Sequence, residues 1–444
     1  MLNDNICALS TPAGAGGVAI VRISGSSPRQ YAEKMFRPQG KTAVKDFVPY
    51  MLYTGEFDAG SFKDYGMCVY FRAPKSYTGE DMVEYHLHGG VAIVNGMIRR
   101  LIELGCRPAE RGEFTKRAFL NGKLSLSSAE GLIDMIYSES EGEVKAGYYL
   151  YRENLKKKVQ EEQDVLKAAL AEIGANLDYP DEVEEADVAK HVMEAVSRVK
   201  KFIDELSATY AAGRKLTAGV QVGIVGRPNT GKSSLLNRLL DYDKAIVSSL
   251  AGTTRDVVEG TLVIDGVKFD FKDTAGIRAS ENDVENIGIN LSRRVLKEAD
   301  VLLVVLDGSE ELTKEDEEIL ALTERKLRIV VANKSDKEQK KLGAHIALSA
   351  KNGENIDKLK KMLFNITVGK VDTNKDFLTE QRHYDALLRA RAALEKAEGS
   401  LLSAPLDMVS VDVEEAWQIL GEITGQTASE AVVDEIFSRF CVGK

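Results

Sequence analysis

The sequence predicts an α/β and α multidomain chain, with an N-terminal α+β domain, a discontinuous helical domain and an inserted three-layer α/β domain. Short apolar runs separated by glycine-rich turns fill residues 1 to about 120. Long amphipathic repeats precede and follow a central segment, in which strands alternate with helices. Such alternation is typical of a parallel sheet covered by helices, and apolar residues at helical spacing are typical of amphipathic helices. The predicted domains are 1–120, 121–218, 219–368 and 369–444.

The composition is that of an ordinary globular protein, with 44% apolar and 29% charged residues among 444. The longest apolar run, 301–306, is too short to span a bilayer, and residues 1–5 carry no secretion signal. Four cysteines without paired spacing argue against a disulfide framework and a zinc site, and favour a cytoplasmic protein. The net charge of −10 disfavours non-specific binding to DNA or RNA, so we expect no DNA partner.

Apolar runs at 18–21 and 67–71 predict strands in the N-terminal domain. A further strand over 82–88 would place Glu84, His86 and His88 on one face, because side chains alternate along a strand. A solvated strand face is the ordinary explanation for such residues, and we favour it for His86. The two histidines lack further zinc ligands, so we predict no metal site there.

Two runs of apolar residues at helical spacing predict long amphipathic helices, with a break at 178–181. They are Leu155, Val159, Leu166, Leu170, Ile173 and Leu177, and then Val188, Val192, Val196, Val199, Ile203, Leu206 and Tyr210. The helical pattern returns after about 375. We infer that this tail packs against the helices of 124–213, so that the α/β domain is an insertion. Two separate helical pieces are the alternative.

The inserted domain contains six candidate strands: 220–225, 261–264, 267–272, 301–306, 328–332 and 344–348. Asp265-Gly266 between the second and third of these is a hairpin signal. We therefore predict a mostly parallel sheet with one antiparallel edge.

The first predicted strand of this domain leads into a phosphate-binding motif. Residues 226–233 fit G-x-x-x-x-G-K-[ST] and are followed by a predicted helix. Backbone N–H groups of such a loop surround phosphate oxygens, and the helix N-terminus adds partial positive charge. We expect Lys232 to reach the β- and γ-phosphates and the Ser233 hydroxyl to bind Mg²⁺. A simple glycine turn between a strand and a helix is the alternative.

Further motifs follow in the order that a guanine-nucleotide site requires. The D-x-x-G motif is Asp273-Thr274-Ala275-Gly276, and the N-K-x-D motif is Asn333-Lys334-Ser335-Asp336. The segment that would lie behind the base is Ser349-Ala350-Lys351. A threonine for Mg²⁺ and the γ-phosphate is available in Ala251-Gly252-Thr253-Thr254-Arg255-Asp256. Asp336 can accept hydrogen bonds from guanine N1–H and the 2-amino group. Adenine lacks this donor pair, so a buried carboxylate would be left unpaired beside it. The motifs together predict a Ras-like GTP-binding domain.

Ile277 stands where Ras-like enzymes carry the glutamine that orients the attacking water. An isoleucine side chain can neither donate nor accept a hydrogen bond, so water must be oriented by another group. The acids Glu281, Asp283 and Glu285 follow closely. They are also explained as acidic residues at a helix N-terminus, which the helix dipole favours.

The chain resembles the MnmE (TrmE) family of bacterial tRNA-modification GTPases, in the TrmE-Era-EngA-septin-like superfamily, over essentially its full length. The motifs that carry the resemblance are Thr11-Pro12, Gly16-Gly17, Arg22-Ile23-Ser24-Gly25, Ser76-Tyr77-Thr78-Gly79-Glu80-Asp81, His88-Gly89-Gly90, Arg117-Ala118-Phe119-Leu120-Asn121 and Phe440-Cys441-Val442-Gly443-Lys444. Val442 stands where the family usually has Ile.

The resemblance implies GTP hydrolysis that K⁺ stimulates, with dimerisation of the GTP-binding domains. It implies that Asn229, Ser248, Leu250 and Thr253 coordinate K⁺, that Ser233 and Thr254 bind Mg²⁺, and that Glu285 orients water. The implied GTP-binding residues are Asn229, Thr230, Gly231, Lys232, Ser233, Ser234, Ser248, Ser249, Leu250, Ala251, Gly252, Thr253, Thr254, Asp273, Thr274, Ala275, Gly276, Asn333, Lys334, Asp336, Ser349, Ala350 and Lys351.

The resemblance also implies a folate site in the N-terminal domain, for 5,10-methylenetetrahydrofolate or 5-formyltetrahydrofolate. Arg22, Glu84, Lys123 and the nearby Lys444 match the folate-contacting positions, and Glu84 could bind the amino edge of the pterin. Cys441 would take part in the modification reaction, although most lone cysteines are small core residues.

The implied function is to add a carboxymethylaminomethyl or aminomethyl group to C5 of the wobble uridine of certain tRNAs. The implied partners are a second copy of the chain, tRNA and the FAD-dependent protein MnmG (GidA), in a heterotetrameric or larger complex. A regulatory GTPase in ribosome assembly shares the nucleotide motifs, but the sequence shows no basic RNA-binding appendage. A septin-like assembling GTPase is a third possibility, against which the folate-like N-terminal third argues.

Overall fold

A computed structural model describes residues 4–242, 260–273, 297–369 and 377–444. The chain divides into two compact units. The first unit contains Met1–Ile133, Tyr148–Val199 and Arg389–Lys444, and the second contains Asp134–Gly147 and Lys200–Leu388.

Both units contain strands and α-helices, which are numbered in the order in which they occur along the chain. The strands are β1 (Ile6–Leu9), β2 (Gly16–Gly25), β3 (Phe36–Pro38), β4 (Leu52–Asp58), β5 (Lys63–Phe71), β6 (Asp81–Gly89), β7 (Arg107–Pro108), β8 (Val220–Val225), β9 (Gly260–Ile264), β10 (Val267–Asp273), β11 (Val301–Asp307), β12 (Arg328–Asn333) and β13 (Ile346–Ala347). The α-helices are α1 (Arg29–Met35), α2 (Val91–Glu103), α3 (Glu113–Leu120), α4 (Leu126–Tyr137), α5 (Glu141–Tyr151), α6 (Asn154–Asp178), α7 (Glu185–Ser207), α8 (Tyr210–Thr217), α9 (Lys232–Tyr242), α10 (Lys314–Thr323), α11 (Ile356–Thr367), α12 (Gln381–Ser400), α13 (Leu406–Thr424) and α14 (Glu430–Ser438). Among the described residues, none of these helices is long and apolar enough to cross a membrane.

The first unit contains a seven-stranded sheet in the order β3-β4-β5-β6-β2-β1-β7. Its pairs are antiparallel apart from β1 with β7. In β6 the odd positions Val83, Tyr85 and Leu87 are buried, whereas Glu84 and His86 share the opposite face. Period-two burial confirms the predicted strand, and it explains how a polar row lies on a sheet that also supports a core.

The helical part of the first unit brings distant segments of the sequence together. Leu155, Val159 and Leu166 on α6 are buried, as the apolar spacing predicts. Gln163 Nε2 on this helix donates a hydrogen bond to the Trp417 carbonyl oxygen on α13 at 3.0 Å. The inference that the C-terminal helices pack against the earlier ones is therefore confirmed.

The second unit contains a six-stranded sheet in the order β13-β12-β11-β8-β10-β9. All pairs are parallel except β9 with β10, so the predicted antiparallel edge is confirmed. Asp265 and Gly266 form the turn between β9 and β10, with φ of 47° and 79°. Positive φ at both turn residues matches the strand twist in a two-residue hairpin. β13 is shorter than the predicted 344–348, because only Ile346 and Ala347 pair as ladder residues with β12.

Candidate functional site

The phosphate-binding loop joins the end of β8 to the start of α9. Gly226 has φ 158°, and a Cβ there would lie 2.4 Å from the Val305 carbonyl oxygen. Gly231 has φ 93°, and a Cβ there would lie 2.3 Å from Asn333 Nδ2. The loop is therefore pressed against β11 and β12 so closely that side chains at these two positions would collide with them.

Lys232 begins α9 and extends its ammonium group back across the loop. Its Nζ donates to the carbonyl oxygens of Gly226 at 2.8 Å and Arg227 at 2.9 Å. Lys232 is mostly buried, while the neighbouring Ser233 and Ser234 are less so. A cation, a helix N-terminus and hydroxyl groups lie together here, which suits an anionic ligand with a bound divalent cation.

Asn333 connects the phosphate-binding loop to the segment 349–351. Its Nδ2 donates to the Thr230 carbonyl oxygen at 2.9 Å, and its Oδ1 accepts from the Ala350 N–H at 3.0 Å. Asn333 and Thr230 are both buried. Asn333 is thus a structural link between two parts of the predicted site.

Asp336 presents its carboxylate to solvent, and Ser349 Oγ donates to its Oδ1 at 2.7 Å. This hydrogen bond holds the pKa of Asp336 below its usual range, so the carboxylate is an ionised acceptor. Asp336 is exposed in the described structure. The penalty against adenine would act only when a base covers Asp336.

Two arginines that the sequence analysis missed support the nucleotide motifs. Arg238 on α9 donates from Nε to the Ala350 carbonyl oxygen at 2.9 Å and from NH2 to that of Lys351. Arg227 in the phosphate-binding loop pairs with Asp316 through Nε at 3.1 Å. Asp316 and Thr313 form the capping box of α10. Sequence motifs do not reveal such contacts, because they join segments far apart in the chain.

Part of the predicted nucleotide site has no described geometry. Asp273 is the last residue of β10 and pairs with Ile224 of β8, but its side chain is not described. Lys334 is described, and its Nζ contacts Asp307 Oδ2 at 2.5 Å. The predicted residues that lie outside the described part of the chain are Ser248, Ser249, Leu250, Ala251, Gly252, Thr253, Thr254, Thr274, Ala275, Gly276, Ile277, Glu281, Asp283 and Glu285.

A second polar cluster lies on the sheet of the first unit, where Arg22 and Glu84 are direct cross-strand partners. Arg22 Nε donates to Glu84 Oε1 at 2.8 Å, and His86 Nε2 lies 3.5 Å from Glu84 Oε2. Burial alone would raise the pKa of Glu84, but His86 and Arg22 outweigh it and hold the pKa below its usual range. Burial and the charge of Arg22 lower the pKa of Lys444, and the charge of Glu84 opposes this shift in part.

His86 therefore belongs to this cluster, although the sequence analysis favoured a solvated strand face for it. Its side chain is only 20% exposed. Its alternation with Glu84 was the available signal, because it placed both residues on one face.

The segment 440–444 is inserted against the N-terminal sheet. Gly443 has φ 98°, and a Cβ there would lie 1.9 Å from the Leu9 carbonyl oxygen. Val442 forms an isolated bridge with Arg111, and the Cys441 carbonyl oxygen accepts from the Gly112 N–H at 3.4 Å. Cys441 is exposed and forms no disulfide with another described residue. This insertion brings Lys444 to the Arg22–Glu84 cluster and leaves the Cys441 side chain accessible.

Lys123 lines a neighbouring cavity of about 360 Å³. Its Nζ donates to the Pro74 carbonyl oxygen at 3.0 Å. Tyr77 lines the same cavity, and the Arg22 guanidinium lies 5.1 Å from the centre of the Tyr77 ring. Tyr77 thus connects the cavity to the Arg22–Glu84 cluster. Within the ranges that the structure describes, no group of three or more His, Cys, Asp or Glu side chains is arranged to hold a metal ion.

Arg117 is a buried cation beneath this region, and its side chain is 2% exposed. It pairs with Asp4 at 2.6 Å, Glu113 at 3.0 Å and Glu80 at 3.2 Å. Glu80 in turn accepts from Ser24 Oγ at 2.7 Å. A buried charge requires such partners, so this network anchors the 76–81 segment beside β2.

Comparison with known proteins gave matches over the full length of the chain. Residues 126–441 match a family model described as the MnmE helical domain, and residues 5–123 match one described as the GTP-binding protein TrmE N-terminus. A relative from Natranaerobius thermophilus, named tRNA modification GTPase MnmE, is 38% identical over 460 residues and covers 100% of both chains. A relative of the same name from Geobacillus thermodenitrificans is 39% identical, with 99% of each chain covered.

One similar solved structure is Era in complex with MgGDPNP and nucleotides 1506–1542 of 16S ribosomal RNA. It is 30% identical, covers 39% of this chain and 66% of its own, and has a TM-score of 0.27.

Proposed function

This chain belongs to the MnmE family of tRNA modification GTPases, and from that premise we propose that it hydrolyses GTP in the modification of tRNA. The reaction we propose adds a carboxymethylaminomethyl or aminomethyl group to C5 of the wobble uridine of certain tRNAs. The observation that carries the proposal is the full-length 38% identity to proteins of that name. The test is nucleoside analysis of tRNA from cells that lack the protein. We expect the modified wobble uridine to disappear, and an unchanged nucleoside profile would contradict the proposal.

The GTP site that we propose contains the phosphate-binding loop, Asn333, Asp336 and the segment 349–351. The residues present suit a nucleoside triphosphate with Mg²⁺, because Lys232 and the α9 N-terminus supply positive charge and Ser233 supplies a hydroxyl group beside them. Mg²⁺ would neutralise developing phosphate charge. Lys232 would exchange its contacts with loop carbonyl groups for phosphate oxygens, and Asp336 would accept from the guanine edge.

We propose that K⁺ stimulates hydrolysis and that Asn229 is one of its ligands. Asn229 is exposed in the loop with φ 65°, so its amide oxygen is accessible to a cation beside the phosphates. Such a cation would supply transition-state charge where other GTPases use an arginine. We expect faster GTP turnover in K⁺ than in Na⁺, and a weaker preference in Asn229→Ala. Equal rates in the two salts would contradict the proposal.

We also propose that the GTP-binding domains dimerise during the cycle and that Glu285 orients the attacking water. In the full chain with GDP and aluminium fluoride, the distance between spin labels on the GTP-binding domains of two copies should be shorter in K⁺ than in Na⁺, and equal distances in the two salts would contradict the proposed dimerisation. Glu285→Ala should lower the hydrolysis rate while leaving the affinity for GDP unchanged. Loss of GDP binding in this variant would assign a different role to the residue.

The Arg22–Glu84 cluster is the folate site that we propose. A carboxylate has lone pairs for more than one donor, so Glu84 can accept from the pterin amino edge while it keeps its bond to Arg22. When bound, the folate would supply a one-carbon unit, and Arg22 and Lys444 would neutralise anionic groups beside it. Titration of the full chain with 5-formyltetrahydrofolate should give binding that Glu84→Gln weakens. Absence of binding to the full chain would remove this part of the proposal.

Cys441 and the partner proteins complete the proposal. The exposed Cys441 thiol lies three residues from Lys444 and would take part in the modification reaction. Cys441→Ser should therefore retain GTP hydrolysis and lose tRNA modification. We expect a homodimer that acts in the cytoplasm with an FAD-dependent MnmG protein, which would supply much of the tRNA affinity because this chain has a net charge of −10.

A further inference from the structure

The cavity beside Lys123 has the charge of an anion-binding site. Lys123, Arg152 and Lys157 line it, and within the described part of the chain none of these three forms an ion pair. The carboxylate among its described lining residues is that of Glu153, which pairs with Lys156 at 2.9 Å. The cavity therefore carries an excess of positive charge that its own lining does not neutralise.

The shape and walls of the cavity favour a small ligand. Its volume of about 360 Å³ lies within the range of small-molecule sites, roughly 300–1,000 Å³. Tyr77 and Tyr151 supply aromatic walls, and Ser128 also lines the cavity. An extended nucleic acid needs a groove of cations along its path, whereas these cations converge on one concavity.

The cavity borders the proposed folate site, because Tyr77 and Lys123 take part in both. Tyr77 lines the cavity and also lies beneath the Arg22 guanidinium of the Arg22–Glu84 cluster. Lys123 is both a lining residue and one of the four residues expected at the folate site. A ligand whose pterin lies at Glu84 could extend past Tyr77 into the cavity that Arg152 and Lys157 line.

We infer that this cavity binds the γ-linked glutamyl tail of a polyglutamylated folate, an inference that rests on the proposed folate site. Each glutamate added to such a tail adds one free carboxylate, and Arg152 and Lys157 are suited to pair with successive carboxylates. The affinity of the protein would then increase with the number of glutamates on the folate.

The test compares the mono- and triglutamate forms of 5-formyltetrahydrofolate by calorimetric titration of the full chain at low ionic strength. Two additional exposed ion pairs should make the triglutamate bind about tenfold more tightly than the monoglutamate. In the double variant Arg152→Gln, Lys157→Gln this ratio should fall to about twofold, and salt should reduce it in the wild type. Lys167→Gln is the matched control, because it removes an exposed charge elsewhere on α6 and should leave the ratio unchanged.

Each remaining result contradicts a defined part of the inference. Equal affinities of the two forms in the wild type would overturn the tail site and leave the proposed folate site intact. Failure of both forms to bind would overturn both. A ratio that persists in the double variant would overturn the assignment to these cations, as would a loss of tRNA affinity in that variant with the ratio unchanged.

Discussion

Asn333 Nδ2 donates a hydrogen bond to the Thr230 carbonyl oxygen, 103 positions earlier in the chain, at 2.9 Å. The bond joins the end of β12 to the phosphate-binding loop, and the same side chain accepts from the Ala350 N–H. One buried amide therefore links the phosphate-binding loop to the segment 349–351.

Removal of this link should weaken nucleotide binding. In Asn333→Ala, the Thr230 carbonyl and the Ala350 N–H would lose their partner in a buried setting, at a cost of about 1–3 kcal/mol each. We expect the affinity for GDP, measured with a fluorescent analogue, to fall at least about tenfold. Asn352→Ala, an exposed change in the same segment, is the control and should bind normally. Equal affinities would show that the loop holds its position without Asn333.

Asp336→Asn should change the base preference of the nucleotide site from guanine to xanthine. In the proposed site the carboxylate would accept from two donors of guanine, and an amide would face one of them with its own N–H group. Loss of charge-assisted hydrogen bonds should weaken GTP binding about a hundredfold. Xanthine carries a carbonyl oxygen at C2, so the variant should bind xanthosine triphosphate more tightly than the wild-type protein does. Asp357→Asn removes an exposed carboxylate on α11 and should change neither affinity.

Glu84 should contribute pH-dependent stability. Its pKa is held below the usual value, so its ionised form stabilises the folded state above about pH 4.3, and this contribution is lost as the pH falls through the lower folded value. Glu84→Gln keeps an acceptor for Arg22 but removes the charge, so we expect a loss of about 1–2 kcal/mol near pH 7. Calorimetric melting of both proteins from about pH 7 to about pH 3 should show a difference in Tm that shrinks on acidification. A difference that grows on acidification would contradict the assignment.

Gly443→Ala should impair the proposed folate site and leave the proposed GTP site intact. The added Cβ would meet the Leu9 carbonyl oxygen, and φ of 98° is itself unfavourable for alanine. The 440–444 segment would have to move, so folate binding should weaken about tenfold or more, whereas GTP binding should stay unchanged. Val442→Ala at the adjacent exposed position keeps the backbone bridge to Arg111 and should bind folate normally.

Most strands of the second unit could be predicted closely from the sequence, because β8, β11 and β12 are short, mostly apolar runs and β11 is buried along its whole length. The order of the nucleotide motifs likewise predicts which loops lie at one edge of that sheet. The exposure of Asp336 and the links made by Arg227, Arg238 and Asn333 could not be predicted. Each of these features depends on distances between segments that periodicity does not encode. Alternation along β6 placed His86 on the same face as Glu84, but it did not encode how deeply the His86 side chain is buried.

The insertion of the 440–444 segment has a consequence during synthesis. Leu9 and Gly443 lie roughly 430 residues apart, so at about 5–20 residues per second the ribosome adds Leu9 some 20–90 s before Gly443. Throughout that interval the nascent N-terminal domain exposes the surface around Leu9 that Gly443 later covers. That surface therefore stays uncovered until the 440–444 segment has been synthesised and has left the ribosome.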